Sequence, residues 1–255
     1  MHTSRMFLTA LTVVLLSTLP AAAQLPPGQP GWNPLNQHMP PGWNADLLVK
    51  AGVIDPAWLQ PIRVELPSEG TVQLFSGQPQ PVLAAKSPAQ FSVSVGHFYR
   101  LRVADLPELP GVELYPSVEI LDRLHPPPGL EQKFPIPLVL DAADLQAAAD
   151  GLLVTRVIYL ERPQTAAGDD PLRREEPLTF PSGDNLVAAA ALHGRPMAIV
   201  RMGGRTPSGN FSPPMFFGSG GLTAPADEAP PGGQETGTVK GRTPSARMVS
   251  GRVSR

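Results

Sequence analysis

The sequence predicts a mainly β fold, an antiparallel Ig-like β-sandwich with one or two short helices, and three observations carry that expectation. Thirty-three of the 255 residues are proline. Proline removes a backbone donor and blocks helix interiors, so a chain this rich in it is not mainly helical. From about residue 61 to 205, apolar and polar residues alternate with the strand period of two. The resulting short strand patterns are separated by Pro and Gly turns, the spacing of a sandwich rather than of a βαβ array.

Residues 1–23 read as a signal peptide. Arg5 precedes an apolar run from Met6 to Leu16, long enough for a signal core and too short to span a bilayer. Ser17-Thr18-Leu19-Pro20 breaks the run, and Ala21-Ala22-Ala23 supplies small residues for cleavage after Ala23. The expected location is therefore the periplasm or the extracellular space. No cysteine occurs, which excludes a lipobox and leaves an exported domain to be held by its hydrophobic core. No later run reaches the ~18 apolar residues of a membrane helix, so no integral span is expected after cleavage.

Residues 24–60 form a Pro/Gly/Trp-rich segment that holds Trp32, Trp43 and Trp58. Pro30-Gly31-Trp32-Asn33 recurs as Pro41-Gly42-Trp43-Asn44. The second copy runs into Ala45-Asp46-Leu47-Leu48-Val49-Lys50-Ala51-Gly52, which predicts a brief helix with Asn44 as N-cap and Gly52 as its stop.

The body, 61–205, contains the strand patterns. They are expected at 62–66, 71–75, 81–85, 91–95, 98–103, 112–120, 133–140, 152–160 and 197–202. In 98–103, Tyr99, Leu101 and Val103 share one face, with Arg100 and Arg102 on the other. Phe134-Pro135-Ile136-Pro137-Leu138 predicts an edge strand, because proline cannot donate to a central ladder. An alanine-rich helix is expected at 141–150, capped by Asp141 and stopped by Gly151. A second is expected from Asp184, as cap, to His193. Residues 206–255 are Gly-, Pro-, Ser- and Thr-rich with few large apolar residues, which predicts a disordered tail.

Four stretches of the body resemble an uncharacterised exported protein family of planctomycete-type bacteria. They begin at Gly96-His97-Phe98-Tyr99, Pro110-Gly111-Val112-Glu113, Thr155-Arg156-Val157-Ile158 and Gly194-Arg195-Pro196-Met197. The resemblance covers about 60–205, implies an envelope or extracellular β-domain and carries no assigned activity.

Charge and motifs exclude several functions. The formal charge is −2, and loss of Arg5 takes it to −3, which gives no basic surface for nucleic acid. Arginine outnumbers lysine sixteen to four, which we read as genome composition rather than chemistry. No Gly-x-Ser-x-Gly elbow, phosphate loop or dinucleotide fingerprint occurs, so no catalytic, metal or cofactor site is expected. His38, His97, His125 and His193 are isolated in sequence. Glu113 and Glu119 on one strand would stand about 20 Å apart, too far for a glycosidase pair.

The expected function is thus a non-enzymatic structural or protein-interaction module of the envelope, with an envelope protein as partner. An alternative is a carbohydrate or cell-wall binding domain using the N-terminal tryptophans, which stack on sugar rings. A less favoured alternative is a hydrolase assembled from His97, His125 and Glu119. The partner-binding candidates are Trp32, Trp43, Trp58 and the apolar tail cluster Met215, Phe216 and Phe217. The basic end, Arg242 to Arg255, is a weaker candidate for anionic polymer or lipid headgroups.

Overall fold

A computed structural model describes residues 33–162, 177–181, 183–207, 213, 215–226 and 246–253. In chain order the elements are α1 (Trp43–Lys50), β1 (Leu59–Glu65), β2 (Thr71–Phe75), β3 (Leu83–Lys86), β4 (Ala89–Ser94), β5 (Phe98–Ala104) and β6 (Ser117–Ile120). Next come β7 (Ile136–Val139), α2 (Ala142–Ala149), β8 (Leu153–Glu161) and β9 (Leu178–Phe180). The last are α3 (Leu186–His193), β10 (Gly194–Met202), β11 (Thr223–Pro225) and β12 (Ala246–Val253).

The strands form a four-stranded sheet, β11-β4-β1-β7, and an eight-stranded sheet, β3-β2-β5-β6-β10-β8-β12-β9. This is the sandwich the patterning predicts. Pairing is antiparallel except between β1 and β7 and between β12 and β9, which run parallel. Pro137 lies in β7, an edge strand, as proline chemistry requires. Pro196 lies in the interior strand β10, where the register with β8 shifts at a bulge.

Alternation decides which side chains meet between the sheets. Ile62, Val64, Phe91, Val93, Ile136 and Leu138 of the small sheet pack against Leu74, Leu101, Val118, Ile158 and Val200 of the large one. A second apolar cluster lies on the other face of the large sheet, where Val157, Tyr159 and Ile199 meet Leu186, Val187 and Ala190 of α3 and Ala45 of α1. The large sheet is therefore covered on both sides.

The local signals for α2 hold in detail. Asp141 Oδ1 accepts from the Asp144 N–H at 2.7 Å, and Gly151 follows with φ 84°. For α3 the cap is Asn185 rather than Asp184, its Oδ1 accepting from the N–H groups of Val187 and Ala188. The difference at α1 is larger. The helix starts at Trp43 with Gly42 at the N-cap, at φ 91°, and without a side-chain cap of its own. A Cβ on Gly42 would overlap the Phe98 ring, so that position needs glycine for space as well as for conformation. Asn44 sits inside the first turn, fully buried, and exchanges hydrogen bonds with the Asn36 backbone in both directions.

Expected 112–120 is not one strand. Only Ser117–Ile120 forms regular ladder, although Leu114 still bridges Val103. Pro116, with no N–H, marks the break.

Two boundaries also move. Residues 33–60 are not a separate segment but part of the covering layer and the start of β1. Residues 215–226, expected in the disordered tail, run along the sandwich instead. Phe217 O accepts from Gly77 N–H at 2.8 Å, Phe98 O accepts from Ser219 N–H at 3.0 Å, and β11 then pairs with β4. Here the backbone itself makes the contacts to both sheets. β12 likewise adds to the large sheet.

Candidate functional site

The register of the large sheet creates a row of polar residues on its outer face. Arg100 of β5 pairs with Ser117 of β6, Ser117 with Arg201 of β10, and Arg201 with Thr155 of β8. The neighbouring positions Tyr99, Val118, Val200 and Val154 point into the sandwich core. Successive strands stand about 4.8 Å apart, so the row is rigid and evenly spaced.

All four side chains are buried: Ser117 is 1% exposed, Thr155 6%, Arg201 7% and Arg100 8%. They share a cleft of about 920 Å³ with Tyr115, Arg205 and a wall of Pro40, Leu152 and Leu153. Asp150 also lines it, an exposed carboxylate that accepts from Gln146 Nε2 at 3.0 Å.

The two buried arginines of the row are held differently. Arg201 Nη1 donates to Glu119 Oε2 at 2.9 Å, and its Nε donates to Gln37 O at 3.0 Å. Glu119 is fully buried, and its Oε1 accepts from the Ala45 N–H at 2.9 Å. That N–H is one of the unpaired donors of the first turn of α1, so Glu119 caps the helix from the sheet face beneath it and favours its positive end. Arg201 is thus neutralised.

Arg100 has no such partner. Its Nε donates to Phe216 O at 2.8 Å and its Nη1 to Tyr115 O at 2.9 Å, with the guanidinium 4.5 Å from the Phe216 ring centroid. Among the described residues it forms no ion pair. Burial, with Arg205 and Arg201 adding repulsion, lowers its pKa to about 10, which leaves it charged at neutral pH. Among the described residues the hydroxyls of Ser117 and Thr155 have no hydrogen-bond partner either. Both residues line the cleft, so these hydroxyls are left to whatever fills it.

The sequence-predicted residues do not gather into a site. Trp32 lies outside the described residues. Trp43 opens α1 and is 36% exposed, while Trp58 precedes β1 and is 48% exposed. Trp58 lines a separate cleft of about 170 Å³, where the Arg123 guanidinium lies 3.4 Å from its ring centroid. Of the tail cluster, only Met215 stays open, at 61% exposed. Phe216 is 6% exposed beneath Arg100, and Phe217 stacks on Phe75 at 5.2 Å, so both are taken up by their own chain. The basic end falls in residues 246–253 and in residues outside the described ones.

Nor do His97, His125 and Glu119 meet. His97 Nδ1 lies 3.2 Å from Ser219 Oγ, His125 lines the small cleft, and Glu119 belongs to Arg201 and α1. Burial lowers the pKa of both histidines, with Arg123 and Arg195 adding to the effect at His125. Among the described residues no group of His, Asp and Glu is arranged to hold a metal ion. Among them, too, no helix is long and apolar enough to cross a membrane.

Arg100 and Arg201 escaped the sequence reading because arginine alternating with apolar residues reads as a solvated strand face. The signal was the row itself, visible only once register is known. Compared with family models, curated proteins and solved structures, the chain matches none of them.

Proposed function

We propose that this protein is an exported, non-enzymatic interaction module of the cell envelope that receives its partner molecule in the arginine-lined cleft. The observation that carries this reading is the cleft floor: a row of strand residues, fixed by register, whose polar ends open into a cavity of about 920 Å³. Ligand pockets fall in the range of roughly 300–1,000 Å³ and combine apolar walls with a few fixed polar groups.

The chemistry of the row favours holding over reacting. A hydroxyl nucleophile requires an adjacent base. Among the described residues neither Ser117 nor Thr155 is hydrogen-bonded to a histidine or a carboxylate. The apolar run and Ala21-Ala22-Ala23 of residues 1–23 support export.

A photo-crosslinking residue placed at Leu153, which lines the cleft and is 45% exposed, tests the reading in living cells. The control is the same residue at Leu192, 63% exposed on α3 and outside the cleft lining. Adducts specific to the Leu153 position are expected. Equal labelling at both positions, or none, overturns the proposal.

A further inference from the structure

The floor of the cleft also carries information about the chemistry of its ligand, an inference that rests on the cleft being the binding site. Among the described residues its lining holds three guanidinium groups, Arg100, Arg201 and Arg205, against the single carboxylate of Asp150. Arg201 is neutralised from behind by Glu119. Arg100 and Arg205 are not paired with a carboxylate among the described residues.

Beside Arg100 in register stands Ser117. Its hydroxyl is unpartnered among the described residues, and the residue is 1% exposed yet lines the cleft. Nη2 of Arg100 is similarly without an acceptor among them. Two adjacent donors, one charged, fixed on neighbouring strands and lacking acceptors, match one compact oxyanion. A bare ion would fill little of a cavity of about 920 Å³, and the wall beyond the row is apolar at Leu152, Leu153 and Pro40.

We infer that the cleft binds a small organic anion. A compact oxyanion head, carboxylate or phosphate monoester, lies against Arg100 and Ser117 with Arg205 at the mouth, and an apolar body lies along the Leu152–Leu153 wall.

Calorimetric titration of the full chain with phenyl phosphate, benzoate, inorganic phosphate and neutral benzamide tests this. At least one of phenyl phosphate and benzoate is expected to bind, which also separates phosphate from carboxylate heads. Benzamide is expected to bind about tenfold more weakly or not at all, because it lacks the charge-assisted bonds. Inorganic phosphate is expected to fall below phenyl phosphate, because it lacks the body.

Ser117→Ala and Arg205→Ala are each expected to weaken binding about tenfold. Both leave the melting temperature of the free protein unchanged, since neither side chain has a hydrogen-bond or ion-pair partner among the described residues. Arg100 is left intact because it also holds the Phe216 and Tyr115 carbonyls.

Absence of binding by every anion at about 1 mM leaves the row to water and overturns the inference. Benzamide binding as well as the anions overturns it, and so does unaltered binding by both variants. Crosslinked adducts at Leu153 without anion binding would defeat the anionic class alone. Anion binding without adducts in cells would support it while defeating the envelope-partner reading.

Discussion

Along the same strands of the large sheet, Leu101, Val118, Val200 and Ile158 face the small sheet, while Arg100, Ser117, Arg201 and Thr155 face the opposite way. The inner contact is apolar and non-directional, so it asks only for the right volume at the right period. The outer contact is directional. Gln37 shows how: its Nε2 donates to Asp184 O at 2.6 Å while its Oε1 accepts from Leu186 N–H at 2.9 Å.

The three most buried arginines among the described residues sharpen the contrast. Arg156, on the inner face, reaches two carboxylates, Asp141 and Asp144 of α2. Arg201 reaches one, and Arg100 reaches none among the described residues. A buried charge is costly unless paired, so stability alone does not account for Arg100. Where neutralisation is least complete, the cleft opens.

The largest test of this contrast is Arg201→Met, which leaves Glu119 buried without its cation. Breaking such a pair from one side is expected to cost about 3–5 kcal/mol in urea unfolding. Hydrogen exchange should accelerate in 35–48 ahead of the strand amides. Leu101→Ala on the inner face is expected to cost about 2–5 kcal/mol with no such segment preference. Uniform acceleration in both variants would erase the distinction between the faces.

A smaller effect is expected for Asn185→Ala. Its Oδ1 caps α3, and its Nδ2 donates to Leu35 O at 2.8 Å, so the loss should be about 1–2 kcal/mol by denaturant midpoint. A loss confined to α3, with 35–48 unmoved, would show that the outer layer is less coupled than its hydrogen bonds suggest.

The smallest is at the half-exposed pair of Arg102 and Glu113. Hydrogen bonds from Arg102 and then Tyr115 lower the Glu113 pKa from 4.5 to about 2. A carboxylate whose folded pKa is depressed contributes stability above its unfolded pKa and loses it as pH falls through the folded one. Glu113→Gln should therefore cost below about 1 kcal/mol at pH 7. The difference from the parent chain should shrink between pH 4.5 and 2. A difference independent of pH would remove the ion pair as its cause.

What was legible in the sequence divides along the same line. β2 lies where period two places it, and α2 has its expected cap and stop, because the determinants are local. The start of α1 was misplaced because the group that caps it is Glu119, 74 residues from Ala45. The burial of Arg100 depends on Phe216, 116 residues away, in a stretch whose composition reads as disorder. Alternation shows that two faces differ. It does not show what will cover the polar one.

The anchors of the N-terminal layer impose an order in time. Ala45 waits for Glu119, Leu35 for Asn185, and Gln37 for Arg201, separations of 74, 150 and 164 residues. A chain growing or emerging from its N-terminus presents 35–48 first, yet that stretch has its full set of hydrogen-bond partners only after β10 exists. Contacts so distant in sequence form slowly, since loop closure precedes their reward. The layer that bounds the cleft is therefore tied to parts of the chain made much later than itself.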